Sequence, residues 1–516
     1  MSLVDSPFAD RLETNYVPSD SELEQLRTLL EDPTDELARF DAQIVEMEAA
    51  LAALIGKRAS LKTKIDAHRA LMSPIRRAPL DILQDIFFAC LPTAHNALMD
   101  PGEAPMKLGR VCRHWRSVAY STPILWSSLH IPSLSFPRSW DTSDVRPELE
   151  IKLEEIAHSW LDRSAACPLS ISLSRAPYHT ESSPLTPPTV GRITQYSARL
   201  RHLGLCVHIS EMQPLLLLAA DDLPCLESVH IQCPAHDRFP LEFWNQLPIF
   251  QVSTIRAVSL HVRADALALP LRWAQLTDLN LACFYEWGVS GQVTQGGLDQ
   301  NGAQELLHRC PSLVRCRLRA TRHTFFIAGP TTTLPHLETL ILADDFEHVA
   351  FMKCLVLPKL RYLGIGGNHL GFSSAPADTS TITVDIDCIP SQDILELLAL
   401  IPSASCIRVL NLQDHGDGAP NDEFLAHISS ELTHLELGVC SFSDSAILEF
   451  IQMRMIIGNP LCRFAATFAR AMHVDILQEI QSWVADGLEV DLQYDWLTTP
   501  KREFDARAGL LEVGPP

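Results

Sequence analysis

The chain has 516 residues, 47% of them hydrophobic and 20% charged, which excludes wholesale disorder and a disulfide-stapled mini-domain. With 63 acidic against 41 basic side chains the formal charge is −22, and this repels a phosphate backbone and disfavours general nucleic-acid binding. The 35 prolines outnumber the 22 glycines, a ratio that suggests many short elements, each ended by a proline.

Residues 1–33 are acidic and punctuated by Pro and Ser, so they are expected to be mostly disordered. Their first fifteen residues lack the basic-then-apolar pattern of a secretion signal. The 14 cysteines form no CxxC pair, and apolar runs such as Leu215 to Ala220 are far shorter than the ~20 residues that span a bilayer. These features predict an intracellular protein, cytoplasmic or nuclear, with no membrane partner.

Over 34–72 the spacing predicts one helix. Leu37, Phe40, Ile44, Met47, Leu51, Leu54, Leu61, Ile65 and Met72 alternate by three and four, a heptad seam interrupted by Arg58 and His68. Either this seam forms a coiled coil, giving self-association through 37–72, or it is an amphipathic helix folded onto its own chain.

Residues 73–126 carry two helical patterns. After Pro79, Leu80, Leu83, Ile86, Phe87 and Leu91 trace one face with Ile82 beside it, and Pro92 ends the helix. Leu108, Val111, Cys112, Trp115, Val118 and Ala119 then follow i, i+3, i+4, i+7 until Pro123. Large apolar side chains on two such short helices ask for a partner or a neighbouring domain. PIRRAPLDILQDIFFACLP (Pro74 to Pro92) with LGRVCRHWRSVAYSTPILW (Leu108 to Trp126) resembles an F-box, the adaptor-docking motif of Skp–cullin–F-box ubiquitin ligases. The resemblance departs from the family at Ala78, where leucine is usual, and in the long stretch from Thr93 to Lys107. It implies that Pro79, Leu80, Ile82, Leu83, Ile86 and Phe87 face the Skp-type adaptor and through it a cullin, with Val111, Cys112 and Trp115 on or behind that surface.

In 127–516 the pattern L-x-x-L-x-L recurs nine times, beginning at Leu200, Leu226, Ile255, Leu276, Leu313, Leu337, Leu360, Ile407 and Leu432. Most successive starts lie within the leucine-rich-repeat period of ~20–29 residues. A glycine-rich insert at Gly291 to Gly302 accounts for one long step, and a further strand, Ile382 to Ile386, divides another. Weaker copies flank the set at Leu169 to Leu173 and Leu488 to Leu492, and short helices are predicted at Ala303 to His308, Asp393 to Leu400 and Asp475 to Val484. The expected fold class is therefore α/β: a helical N-terminal segment, coiled coil plus F-box, followed by a leucine-rich-repeat solenoid. This array resembles the substrate domain of fungal-type F-box proteins, although the Asn or Cys usual after the last leucine appears only as Asn368 and Cys440.

No phosphate-binding glycine loop, nucleophile elbow or HExxH helix occurs, so neither an enzyme nor a cofactor is expected. Cys112 and His114 diverge at i and i+2 of a helix, and Cys225, Cys233 and His236 lack the four-ligand spacing of a zinc site. Period-two alternation puts Arg315, Arg317 and Arg319 in one line on the concave face, with Tyr362, His230, Asp278, Asn280, Asn411, His434 and Glu436 nearby. Such a line can bind a carboxylate or a phosphorylated segment of a target protein, or can be consumed in salt bridges between repeats. The expected role is the substrate-recognition subunit of a ubiquitin ligase; the alternative is an adaptor-bound interaction scaffold that does not lead to ubiquitylation.

Overall fold

The computed structural model describes residues 6–132, 146–174, 193–233, 240–287, 293–344, 346–366, 382–413, 422–428, 432–456, 460–468 and 470–494. They fall into two compact units, 1–83 and 84–516. No helix among the described residues is long and apolar enough to cross a membrane.

The first unit is dominated by one helix, α1 (Asp20–Leu71), of 52 residues and about 78 Å at 1.5 Å per residue. It begins fourteen residues earlier than the sequence expectation, within the segment read as mostly disordered. The reason is a strong start signal: the Ser19 N–H donates to the Glu22 carboxylate at 2.9 Å, and the Ser19 hydroxyl donates to it at 2.8 Å. Those two bonds, the backbone one foremost, and a bond from Tyr16 pull the Glu22 carboxyl down to about 2. Pro33 lies inside α1. It removes one intrahelical bond, a cost of about 3 kcal/mol. No side chain of α1 is buried.

After a short 3-10 turn (Pro74–Arg77) comes α2 (Leu80–Ala89), whose first intrahelical bond runs from the Leu83 N–H to the Pro79 carbonyl at 3.0 Å. The second predicted helix is two, α3 (Leu108–Val111) and α4 (Arg113–Ser121). Cys112 between them is extended, and its Sγ caps α4 by accepting the Trp115 N–H at 3.4 Å. The Arg116 Nε donates to the Gly109 carbonyl at 2.8 Å, folding the two pieces against each other. A Cβ at Gly109 would stand 3.0 Å from the edge of the Tyr120 ring, so a larger residue there needs that ring to shift.

The second unit is built on fourteen parallel strands laid side by side in chain order, from Ser128–Pro132 to Glu489–Tyr494. All nine L-x-x-L-x-L segments, the two weaker copies and the further strand Ile382–Ile386 contribute strands to it. Two strands escaped the sequence reading, Ser128–Pro132 and Arg463–Phe468. Their inward residues are Leu129 and Ile131, and Phe464 and Ala466, so the leucine spelling was lost while the apolar alternation survived. Helices such as Gln300–Arg309 and Ser391–Leu400 connect strands, whereas the predicted helix at 475–484 is reduced to Gln481–Ala485. The glycine-rich insert contributes Val293–Gly296, which pairs antiparallel with the end of strand Asp278–Trp287.

Lateral pairing aligns the inward residues into rows. One row runs Leu203, Val229, Val258, Leu279, Cys316, Leu340, Leu363, Val384, Ile407, Leu435, Phe464. All of these are essentially inaccessible, and each large aliphatic member contributes roughly 1.5–3 kcal/mol relative to exposure. The row corrects one register. The copy read as starting at Ile407 starts at Ala404: Ala404, Ile407 and Val409 are buried, while Leu410 is 39% exposed.

The first edge of the sheet is covered. There the Ala97 carbonyl accepts the His130 N–H at 2.8 Å, and Asn96 bonds the hydroxyls of Ser128, Ser170 and Ser172 at 2.9, 2.6 and 3.0 Å. The long stretch between α2 and α3 thus shields an edge strand that would otherwise be open to pairing. Burial, with His95 nearby, pushes the His130 imidazole down to about 4. At the last edge Asp444 collects bonds from Arg470 at 2.6 Å, the Tyr494 hydroxyl at 3.0 Å, and the N–H groups of His473 and Val474 at 2.8 and 2.9 Å. Burial alone would raise this carboxyl, but the four donors hold it well below the usual carboxylate range.

Two outcomes test this packing. Val409→Asp should unfold the neighbouring strands, losing several kcal/mol, whereas Leu410→Asp should shift stability by less than about 1 kcal/mol; denaturant titration compares them. Asp444→Ala should cost about 3 kcal/mol at neutral pH by stranding Arg470. Because the folded-state pKa of Asp444 is lowered, its contribution is complete above pH ~4 and fades as the pH falls further, so wild type and Asp444→Asn should converge in acid.

Candidate protein-interaction surfaces

Two regions hold the side chains singled out in the sequence. In α2 the apolar residues divide. Leu83 and Phe87 are inaccessible, Ile86 is half-buried, and Pro79, Leu80, Ile82 and Phe88 are exposed. Phe87 and Trp115 meet at 4.8 Å between ring centroids, tilted by 57°. Leu83 and Phe87, expected to face an adaptor, are therefore interior residues of this chain. Val111 and Cys112 are exposed and Trp115 is half-buried. Phe88, Tyr120 and Ile124 are also exposed, and the sequence reading passed them over because they lie off the periodic face.

Indole chemistry ties α4 to the sheet. Trp126 Nε1 donates to the Ala119 carbonyl at 2.8 Å, the Trp126 and Trp160 rings meet edge-on at 4.7 Å, and Trp160 Nε1 donates to the Ser128 carbonyl at 3.2 Å. Trp126 thus closes the helical segment two residues ahead of the first strand, and its buried ring fixes α4 against the sheet.

On the strand face, Arg315, Arg317 and Arg319 do alternate as expected, but not as three unengaged guanidiniums. Arg315 is paired with Asp278 on the preceding strand and Arg319 with Asp344 on the following one, with the Phe284 ring 5.3 Å from the Arg319 guanidinium. Arg317 is half-buried between them. Tyr362 is 1% exposed, and its hydroxyl donates to Asp385 at 2.7 Å, so it serves the interior rather than a surface. Asp385 also accepts from Arg408 Nε at 2.7 Å, and Arg463 bridges Glu436 and Glu489 at 3.0 Å each. The face is a lattice of charges paired between adjacent strands. His230, Ser259 and Asn280 share one register row with Arg317. Asn411 belongs to the strand whose register is corrected above.

The thiols are arranged for packing. Cys283, Cys310, Cys316 and Cys440 are buried. Burial pushes Cys283, Cys310 and Cys440 up to about 12 and Cys316 well above its ordinary value. No group of three or more potential metal ligands occurs among the described residues. Comparison with known proteins finds no family model and no curated sequence that matches the chain.

Native alkylation with iodoacetamide should modify the exposed Cys90, Cys112, Cys225 and Cys462 quickly. The buried Cys283, Cys310, Cys316, Cys354 and Cys440 should react only after unfolding, by peptide mass spectrometry. Rapid native labelling of Cys316 would contradict the burial of its strand.

Proposed function

We propose that this chain is the substrate-recognition subunit of a Skp–cullin–F-box ubiquitin ligase, with 73–126 as the F-box and 127–516 as a leucine-rich-repeat solenoid that binds a target protein. The supporting observation is the conjunction of an adaptor-type motif, whose Leu80, Ile82 and Val111 are left exposed, with an all-parallel sheet of one strand per sequence copy directly after it in the chain. Both halves are read as interaction surfaces.

The chemistry in such an assembly belongs to other subunits. This chain contributes proximity, since holding a target's lysines near the charged conjugating enzyme raises their effective concentration. The target contacts come from the strand face. Its arginines are already compensated by carboxylates, so recognition there rests on a mixed array of Arg, His, Ser and Asn side chains, and an acidic segment has to displace existing ion pairs to bind.

Adaptor docking is tested with exposed residues, because charges at Leu83 or Phe87 would simply unfold the helix. In the full chain, Leu80→Asp with Ile82→Asp, and separately Val111→Asp, should each weaken co-purification with a Skp-type adaptor by tenfold or more while thermal unfolding is unchanged. Undiminished binding, or a wild type that binds no adaptor, overturns the F-box reading. Recovery of cullin with the adaptor separates a ligase subunit from an adaptor-bound scaffold.

A further inference from the structure

The longest of the described elements buries none of its side chains. Along α1, Leu37, Phe40, Ile44, Met47, Leu51 and Leu54 are 48–63% exposed, and the seam continues through Leu61 and Ile65. A seam of apolar residues broken only at Arg58 and His68, on a helix this long, is the geometry of one strand of a coiled coil. The charges beside the seam decide what fits it. In the N-terminal half the flanking positions are Glu36, Asp41 and Glu48; in the C-terminal half they are Lys57, Lys62, Lys64 and Arg69.

We propose that α1 pairs with α1 of a second copy of this chain, antiparallel, about a two-fold axis that passes between Leu51 and Leu54. A parallel, in-register pair would set Glu36 beside Asp41, Lys57 beside Lys62 and Lys64 beside Arg69 of the other copy, all repulsive. It would also place Arg58 against Arg58 inside the seam. Reversing one helix removes every one of these clashes.

The antiparallel register is specified by the seam itself. Leu51 meets Leu54 of the second copy, Ile44 meets Leu61, and Phe40 meets Ile65. Arg58 meets Met47, where Glu46 and Glu48 on either side can take its guanidinium while its methylenes cover the thioether. Asp41 comes beside Lys62 in both symmetry-related places. The same register sets Pro33 opposite Met72, the residue at which α1 terminates, so the break in the seam at one end coincides with the end of the partner helix at the other. A sequence that is its own complement when reversed points to a closed two-fold dimer rather than to an unrelated partner. This inference is independent of adaptor docking.

The test uses the full chain. Sedimentation at low salt should give a reversible monomer–dimer equilibrium that weakens as salt is added. Replacing the acidic half by Glu36→Lys, Asp41→Lys and Glu48→Lys should weaken dimerisation by about tenfold or more, with helix content by circular dichroism unchanged. Adding Lys57→Glu, Lys62→Glu and Lys64→Glu to that variant should restore it, because the two halves are again complementary. On the wild type itself, carbodiimide cross-linking of mixed light and heavy-isotope copies should join Asp41 of one to Lys62 of the other. A wild type that stays monomeric at every concentration overturns the proposal, as would fold-back of the seam onto its own chain. A charge-reversed variant that dimerises as well as wild type, or a doubly reversed one that is not rescued, overturns the antiparallel register.

Discussion

Lateral registry of apolar residues is the constraint on which the second unit depends. A single strand with two or three inward aliphatic side chains cannot remove them from water, and neither can a strand with its one connecting helix. Only when Leu279 lies beside Val258 and Cys316, and each of those beside the next, does a continuous interior exist. The energy is therefore distributed between neighbours, and the order of strands in space follows the order in the chain because the shortest connection delivers each strand to the edge just completed.

Such an array has two ends, and polar contacts gather near each. Asn96 and Ala97 close the first edge with hydrogen bonds to serines and to the His130 backbone, and the Asp444 cluster fastens Tyr494 and the connecting segment at the last. The outward strand positions are handled alike: Arg315, Arg319, Arg408 and Arg463 each find a carboxylate on an adjacent strand. An excess of acid in the composition is thus compatible with local lines of arginine, because the carboxylates are interleaved with them.

The helical regions obey a different logic. Trp126 couples 84–126 to the sheet through one ring that serves both, so the segment bearing the adaptor-type motif is anchored on its inner side by Phe87, Trp115 and Trp126. The exposed remainder is what a partner can reach. α1, by contrast, makes its own secondary structure through capping and length, and the apolar residues of its seam are exposed.

The amino-acid sequence by itself determined that strands and short helices alternate among the described residues after 127, that a long helix occupies 34–71 though not that it starts at Asp20, and that Arg315, Arg317 and Arg319 share a face. Periodicity reports which residues belong together on one side of an element, and these statements need nothing more. It does not report what covers that side. Around ASCIRVLNL two frames of the same pattern overlap, and only pairing with strands 382–386 and 434–440 selects Ala404, Ile407 and Val409 for the interior over Leu410. Likewise the period of 108–119 reads as one helix, and the cap formed by the Cys112 thiol, seen only with the chain folded back on Gly109, breaks it in two. Which residues of α2 become interior, and whether an arginine is paired or available, were decided in the tertiary structure, because burial and charge compensation are properties of neighbours brought together from distant parts of the chain.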